Sequence, residues 1–311
     1  VEVSAQEDSK PLPIAKPGCA SRCGDVSIPY PFGMNRSECY AGKWFEIECR
    51  NSTRPYLKSI GLGVEVIYID VDQGTVEINN PIYRSNNCGT RTTKHPAVNN
   101  INVNISLEGS PFVYSQTNNK FVAAGCNNIA FLQVKGSDVG GCVSICDNDD
   151  DDVGNTKLRR SICNGKSCCE TSLPLYLSEY TAAIKGLNEN QKGNHCSYAM
   201  IISYFHARKY PYYRCGYPYG YTYGYSYDPY ECLYPYGYFP VDGKLKDIDF
   251  VPAVLEWEIV NATLKLPTSP YVECHGTNIT SSRYNYSGRR CSCIYRSYAT
   301  TANPYIADGC S

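Results

Sequence analysis

The apolar positions of this chain fall in short runs and alternations, which is the spacing of strands. Val64 to Val71 is β-branched and carries a tyrosine, Asp72-Gln73-Gly74 is a turn signal, and Thr75 to Ile78 reads as the returning strand of a hairpin. Ile101, Val103, Ile105 and Leu107 alternate with Asn102, Asn104 and Ser106, which predicts a half-buried strand with Asn104 on its wet face. Val254, Leu255 and Trp257 to Val260 predict a strongly apolar strand with Trp257 in the core. Between Leu173 and Leu187 two periods compete. Leu177, Tyr180, Ala183, Ile184 and Leu187 suit one face of a helix, whereas Tyr180, Ala182 and Ile184 alternate.

Two stretches depart from these patterns. From Cys23 to Gly33 the chain reads Cys-Gly-Asp-Val-Ser-Ile-Pro-Tyr-Pro-Phe-Gly. Pro29 and Pro31 fix their own φ and push their predecessors towards extended geometry, so this is a stiff ribbon that is neither helix nor central strand. Tyr30 and Phe32 project to one side, Cys19 and Cys23 anchor the ribbon, and Gly33 ends it. On packing grounds it is a plug over a small core. From Tyr210 to Tyr238 the chain is low-complexity, with thirteen tyrosines and Pro-Tyr-Gly-Tyr at both 218–221 and 235–238. Tyr217, Tyr219, Tyr221, Tyr223, Tyr225 and Tyr227 occupy alternate positions, so an extended ribbon would align all six as an aromatic ladder. Cys215 and Cys232 bracket it, and a bond between them would stabilise the fold by about 3 kcal/mol through lost unfolded-state entropy. Such a ladder suits stacking on sugar rings or contact with a protein partner. It equally suits packing back onto its own domain, because ring area left in water favours association.

Composition narrows the class. The chain has 311 residues, enough for two lobes with real cores. Its net charge of -1 supplies no basic field to draw in a polyanion, which argues against nucleic acid as a partner. Eighteen cysteines with only two methionines, and six Asn-x-Ser/Thr sequons at Asn35, Asn51, Asn104, Asn261, Asn278 and Asn285, point to an oxidising secretory compartment. Val1 to Lys16 lacks the apolar run of a signal peptide, and no stretch approaches the ~18 apolar residues of a membrane span, so a mature soluble fragment is expected. The cysteines divide into six up to Cys126, eight from Cys142 to Cys232 and four in the tail, so each block can close on itself. The pairing within the first two blocks stays open, except that adjacent Cys168 and Cys169 bond to different partners.

Catalytic signatures are missing. There is no Gly-x-Ser-x-Gly elbow, His-Glu-x-x-His or phosphate loop, and His95, His195, His206 and His275 are not spaced as metal ligands. No enzyme activity, cofactor or metal is expected. The run Asp147 to Asp152 lacks the spacing and closing glutamate of a calcium loop and reads as a solvated acidic stretch. The best local cation cluster of the first block is Arg84, Arg91, Lys94 and His95, beside Cys88 and several hydroxyls; Lys157, Arg159 and Arg160 form a second. Guanidinium groups pair bidentately with carboxylates, so these clusters are where an acidic sugar would be held; the first equally suits a solvated basic loop and the second the neutralisation of the preceding acidic run.

Spelling adds a family. Cys19, then Cys23-Gly24, then Ile28-Pro29-Tyr30-Pro31-Phe32-Gly33 resembles the opening of the extracellular galacturonan-binding domain of plant wall-associated receptor kinases. The resemblance recurs at Gly125-Cys126-Asn127, Cys163-Asn164-Gly165 with Cys168-Cys169-Glu170-Thr171, Cys196-Ser197-Tyr198-Ala199, Val251-Pro252-Ala253-Val254-Leu255-Glu256-Trp257, and Asn303-Pro304-Tyr305-Ile306 before Asp308-Gly309-Cys310. It implies a mainly β, disulfide-rich, two-lobed extracellular protein. It implies a flexible segment at 1–17, a galacturonan-binding-type β domain at 18–135, a second cysteine-rich β domain at 136–266 with the tyrosine-rich insertion at 210–240, and a small module at 267–311. The family's extended segment after its Cys-Cys pair favours a strand between Leu173 and Leu187. Cys291-Ser292-Cys293 followed by Gly309-Cys310 resembles the second half of an epidermal-growth-factor-like module with four cysteines in place of six, which implies the pairs Cys293–Cys310 and Cys274–Cys291. The implied function is an apoplastic ectodomain that binds pectin or oligogalacturonides and signals through a kinase beyond a membrane span, both outside this chain. The alternative is recognition of a secreted protein, such as a pathogen effector, through the tyrosine ladder.

Overall fold

Extended backbone prevails, and no α-helix occurs among the residues described by this computed structural model, namely 14–61, 63–85, 88, 105–146, 163–187, 196–203, 245–260, 269–280, 285–294, 303–307 and 309–310. In chain order the strands are β1 (Arg22–Cys23), β2 (Val26–Ser27), β3 (Ile47–Arg50), β4 (Arg54–Leu57), β5 (Val64–Asp70), β6 (Thr75–Pro81), β7 (Tyr83–Arg84), β8 (Phe112–Tyr114) and β9 (Asn119–Ala124). There follow β10 (Asn128–Val134), β11 (Ser137–Ser144), β12 (Cys168–Thr171), β13 (Thr181–Gly186), β14 (Tyr198–Ser203), β15 (Phe250–Trp257), β16 (Val272–Thr280) and β17 (Asn285–Cys293). The chain forms two compact units that interleave along the sequence. Val1–Glu77, Leu107–Val113 and Leu255–Ser311 make the first; Ile78–Ser106 and Tyr114–Val254 make the second.

In the first unit β3, β4 and β5 open a sheet whose order is β3-β4-β5-β6-β15-β8. The β5–β6 hairpin forms where its sequence predicts: Val64, Val66 and Ile69 are buried on one strand, Val76 on the other. Its turn is closed by the Asp70 carboxylate, which accepts from the Asp72 and Gln73 amides at 3.1 and 3.0 Å. The proline ribbon is the plug its composition predicts, with Ile28, Tyr30 and Phe32 buried. Gly33 earns its place by close approach, since a Cβ there would lie 2.1 Å from the Cys39 carbonyl oxygen. Phe32, Phe45 and Trp257 pack edge to face, with ring centroids 5.1 to 5.5 Å apart, and Tyr305 tilts against Trp257 at 5.5 Å. The Asn303 amide donates to the carbonyls of Tyr30 and Ile14, at 2.7 and 2.9 Å, tying the tail to the ribbon. β16 and β17, nine residues each, pair antiparallel along their whole length.

The second unit contains a four-stranded sheet, β12-β9-β14-β7, and a three-stranded one, β11-β10-β13. Val122, Met200, Ile202 and Val251 lie in its apolar core. Beside them sits a buried polar knot. Asn80 donates to the Tyr180 hydroxyl at 2.8 Å and the Ile201 carbonyl at 2.9 Å, and accepts from the Tyr114 hydroxyl at 2.9 Å. Tyr83 donates to the Tyr180 carbonyl at 3.1 Å.

Several expectations change. Cys88 bonds Cys196, and Cys126 bonds Cys146, so the cysteines up to Cys126 do not close on themselves. The pairing of β7 with β14 places Arg84 opposite Tyr198, and that brings Cys88 beside Cys196 whatever their count along the chain. Cys168 and Cys169 take different partners, Cys163 and Cys142. Cys19–Cys39 and Cys23–Cys49 staple the first unit. Ile105 and Leu107 are buried and Ser106 is exposed, yet none of the three is in a strand; positions 101–104 of that predicted strand lie outside the described residues. Only Thr181–Gly186 of the Leu173–Leu187 stretch is strand, and the 254–260 strand ends at Trp257.

Candidate functional site

The clearest surface feature of the first unit grows from a tight turn. Gly42 precedes a 3-10 turn at Lys43–Phe45, closed by the Phe45 amide donating to the Gly42 carbonyl at 2.9 Å. Consecutive residues on so tight a turn face different ways, and Phe45 takes the inward place in the aromatic core. Lys43 is left exposed and Trp44 partly exposed, with the Lys43 ammonium 4.5 Å from the Trp44 ring centroid. The Ser59 hydroxyl fixes the turn by donating to the Lys43 carbonyl at 2.7 Å. Lys58 meets Glu46 at 2.5 Å, and that hydrogen bond raises the Lys58 pKa above its ordinary value.

A second cationic feature lies on β3, β4 and β5. Register places Glu48, Tyr56 and Glu65 in one row across the three strands. Arg54 grips Glu65 as a fork, Nε to Oε1 and Nη2 to Oε2, each at 2.7 Å, which holds the guanidinium above its usual pKa. Arg50 bonds the single oxygen Oε2 of Glu48 through Nε at 2.9 Å and Nη2 at 2.7 Å. Both guanidinium carbons stand near the Tyr56 ring, at 4.2 Å for Arg50 and 5.6 Å for Arg54. Burial pushes the Tyr56 phenol up. Gly63 leaves room for Arg50, because a Cβ there would come within 2.9 Å of its Nη1. The arrangement presents planar donors on an aromatic base, which is chemistry suited to carboxylates.

Arg84 sits elsewhere, in the second unit. Its guanidinium pairs with Asp249 at 3.2 Å, donates to the Ile248 carbonyl and lies 5.9 Å from the Tyr198 ring centroid. It is mostly buried and holds β7 to the segment before β15. Arg91, Lys94, His95, Lys157, Arg159 and Arg160 lie outside the described residues, as do the Tyr217–Tyr227 ladder, Cys215 and Cys232. In the tail Cys274 bonds Cys291 and Cys293 bonds Cys310. Asn35 and Asn51 are exposed in left-handed turns, at φ 67° and 52°. Asn278 and Asn285 fall in β16 and β17, while Asn104 and Asn261 lie outside the described residues. Sequence reasoning passed over Lys43 and Trp44. The available signal was Trp44-Phe45 in a glycine-led turn, where two adjacent large rings cannot both face the core.

Residues 19–80, which contain both surface features, match the family described as wall-associated receptor kinase galacturonan-binding. Wall-associated receptor kinase-like 4 of Arabidopsis thaliana is 33% identical over 162 residues, covering 50% of this chain and 20% of that protein. Wall-associated receptor kinase-like 5 of the same plant is 30% identical over 199 residues, 60% of this chain and 26% of the relative. Wall-associated receptor kinase-like 6 is 25% identical over 320 residues and covers 94% of this chain, which spans 44% of it. The chain thus spans less than half the length of these relatives. No solved structure matches it. By sequence, order of motifs and a mainly β, disulfide-bonded fold, the chain is a homologue of the wall-associated receptor kinase-like proteins with a galacturonan-binding-type module at residues 19–80.

Proposed function

We propose that the chain is the extracellular ligand-binding part of a wall-associated receptor kinase and that it binds de-esterified pectin or oligogalacturonides. The observation that carries this reading is the match of residues 19–80 to the galacturonan-binding family, on the same module that displays Lys43 with Trp44 and the Arg50–Arg54 pair over Tyr56. Trp44 offers a ring for the apolar side of a sugar, and Lys43 a cation for its carboxylate. Arg50 is held in place by Glu48, and a uronate can exchange for that partner at the surface. Arg91, Lys94 and His95, which follow the module in the chain, are further candidate contacts. Signalling would be the task of a kinase that lies outside this chain, at the plasma membrane, with the present region in the apoplast.

The test is a calorimetric titration of the chain with de-esterified oligogalacturonides at low and moderate salt, beside Lys43→Ala/Trp44→Ala and Arg91→Ala/Lys94→Ala variants. Saturable binding that weakens with salt, is reduced in the first variant and is weaker for methyl-esterified oligomers is the expected result. No binding at either salt overturns the reading.

A further inference from the structure

The three-stranded sheet of the second unit carries a face that the galacturonan-binding module does not account for. β10 is its central strand, and residues directly opposite one another in a ladder share a side. Asn128, Ala130 and Leu132 are buried on the inner side. On the outer side three rows cross the sheet: Val143, Ile129 and Lys185; Gly141, Phe131 and Ala183; Asp138, Gln133 and Thr181. The middle row sets one partly exposed aromatic ring between a glycine and an alanine. A Cβ on Gly141 would press to 2.7 Å from the Ala130 carbonyl oxygen and to 3.4 Å from Phe131 Cδ1, so the glycine keeps the edge of the ring open. With strands about 4.8 Å apart, the three-residue row is a shelf about 10 Å wide.

The ends of the shelf differ in chemistry. At one end the exposed Lys185 ammonium lies 5.4 Å from the Phe131 ring centroid. At the other, Gln133 donates to Asp138 at 2.7 Å, beside the Thr181 hydroxyl. A flat ring with small neighbours, a cation at one edge and hydroxyl-binding groups at the other does not match a purely apolar partner, which would make no polar contact with Lys185 or with the Asp138, Gln133 and Thr181 row. It matches a pyranose that has an apolar C–H side, a carboxylate and several hydroxyls.

We propose that this face binds one hexuronate ring, stacked on Phe131 with its carboxylate at Lys185 and its hydroxyls at Gln133, Asp138 and Thr181, as a site separate from the 19–80 module. The choice of uronate rests on the acidic-polysaccharide reading above; the stacking geometry does not. The test titrates trigalacturonate, and its methyl ester, into the chain and into Phe131→Ala, Phe131→Tyr and Lys185→Gln variants. Each is made also in the Lys43→Ala/Trp44→Ala background, with unfolding midpoints and sedimentation measured alongside.

Expected, in the Lys43→Ala/Trp44→Ala background, is a loss of about tenfold in affinity for Phe131→Ala, retention in Phe131→Tyr, and loss of the preference for free acid over ester in Lys185→Gln, all with unchanged midpoints. Trigalacturonate binding that is intact in every Phe131 and Lys185 variant overturns this site and leaves the pectin reading standing. Binding that depends on Phe131 and Lys185 but not on Lys43 or Trp44 supports this site and removes the first. No binding by the unaltered chain removes both. Sedimentation that changes with Phe131 while sugar affinity does not would make the face a protein contact and overturn the sugar site.

Discussion

Arg50 and Arg84 are both arginines paired with a carboxylate, and water treats the two pairs differently. Arg50 meets Glu48 at 2.7 Å with the two side chains 47% and 43% exposed; Arg84 meets Asp249 at 3.2 Å with 18% and 11% exposed. At the first pair solvent already hydrates both ions, so a carboxylate arriving from outside replaces Glu48 at small cost. At the second, most of the hydration is gone, and the Ile248 carbonyl and Tyr198 ring occupy the guanidinium's other sides. A paired arginine is therefore open to an incoming carboxylate or closed around its partner according to its exposure, which sequence does not display.

The sharpest way to break the comparison is Arg84→Ala. It takes the guanidinium away from the Asp249 carboxylate in a poorly hydrated place, and the expected loss is about 3 kcal/mol in denaturant unfolding. A double variant, Arg84→Met/Asp249→Leu, should recover most of that loss, because it removes the poorly hydrated carboxylate as well. A loss under about 1 kcal/mol for Arg84→Ala would class the pair with Arg50–Glu48 and undo the distinction.

Next in size is Asn80→Leu. Its amide serves two hydroxyls and a carbonyl inside the second unit, so the apolar replacement leaves Tyr114 and Tyr180 short of partners at a cost of about 2 kcal/mol. The same knot gives a pH signature. Burial raises Tyr83 and Tyr114 and pushes Tyr180 up to about 12 against the pull of its bonds from Asn80 and the Ile201 amide. A phenol whose folded pKa is above its unfolded value holds its proton longer in the native state. Its stabilisation is complete below pH 10 and is lost as pH rises from 10 to about 12. Unfolding midpoints followed across that window should fall, and the fall should be shallower in Tyr180→Phe. An equal slope in the variant would place the titration elsewhere.

Much of the fold was legible because it is written in local terms. The Asp72-Gln73-Gly74 turn and its flanking β-branched runs need no distant information, and neither does the burial of the proline ribbon. The alternation of Ile105 and Leu107 with Ser106 foretold which side chains are inside but not whether a ladder forms, since that requires a neighbouring strand with free donors. Cysteine parity carried no information on Cys88 and Cys196, because the contact is made by sheet register across 108 positions. Arg84 looked like a binding cation beside Cys88 and Thr90. What decides its role is Ile248 and Asp249, a partner segment 164 residues away in the case of Ile248. Lys43 and Trp44 were missed for the opposite reason: a lone pair without periodicity, set by a turn of three residues.

The smallest effect on stability tests the comparison most directly. Arg50→Ala removes an exposed pair and should change unfolding free energy by no more than about 0.5 kcal/mol. Its effect on oligogalacturonide affinity should nevertheless be visible, about fivefold at low salt and shrinking as salt screens the carboxylate. Glu48→Gln sharpens this further. It retains most of the side-chain volume while removing the internal competitor for the guanidinium, so affinity should rise where Arg50→Ala makes it fall. If both variants weaken binding equally, Glu48 is itself a contact, through sugar hydroxyls, and the exchange of one carboxylate for another at Arg50 is not how the module holds its ligand.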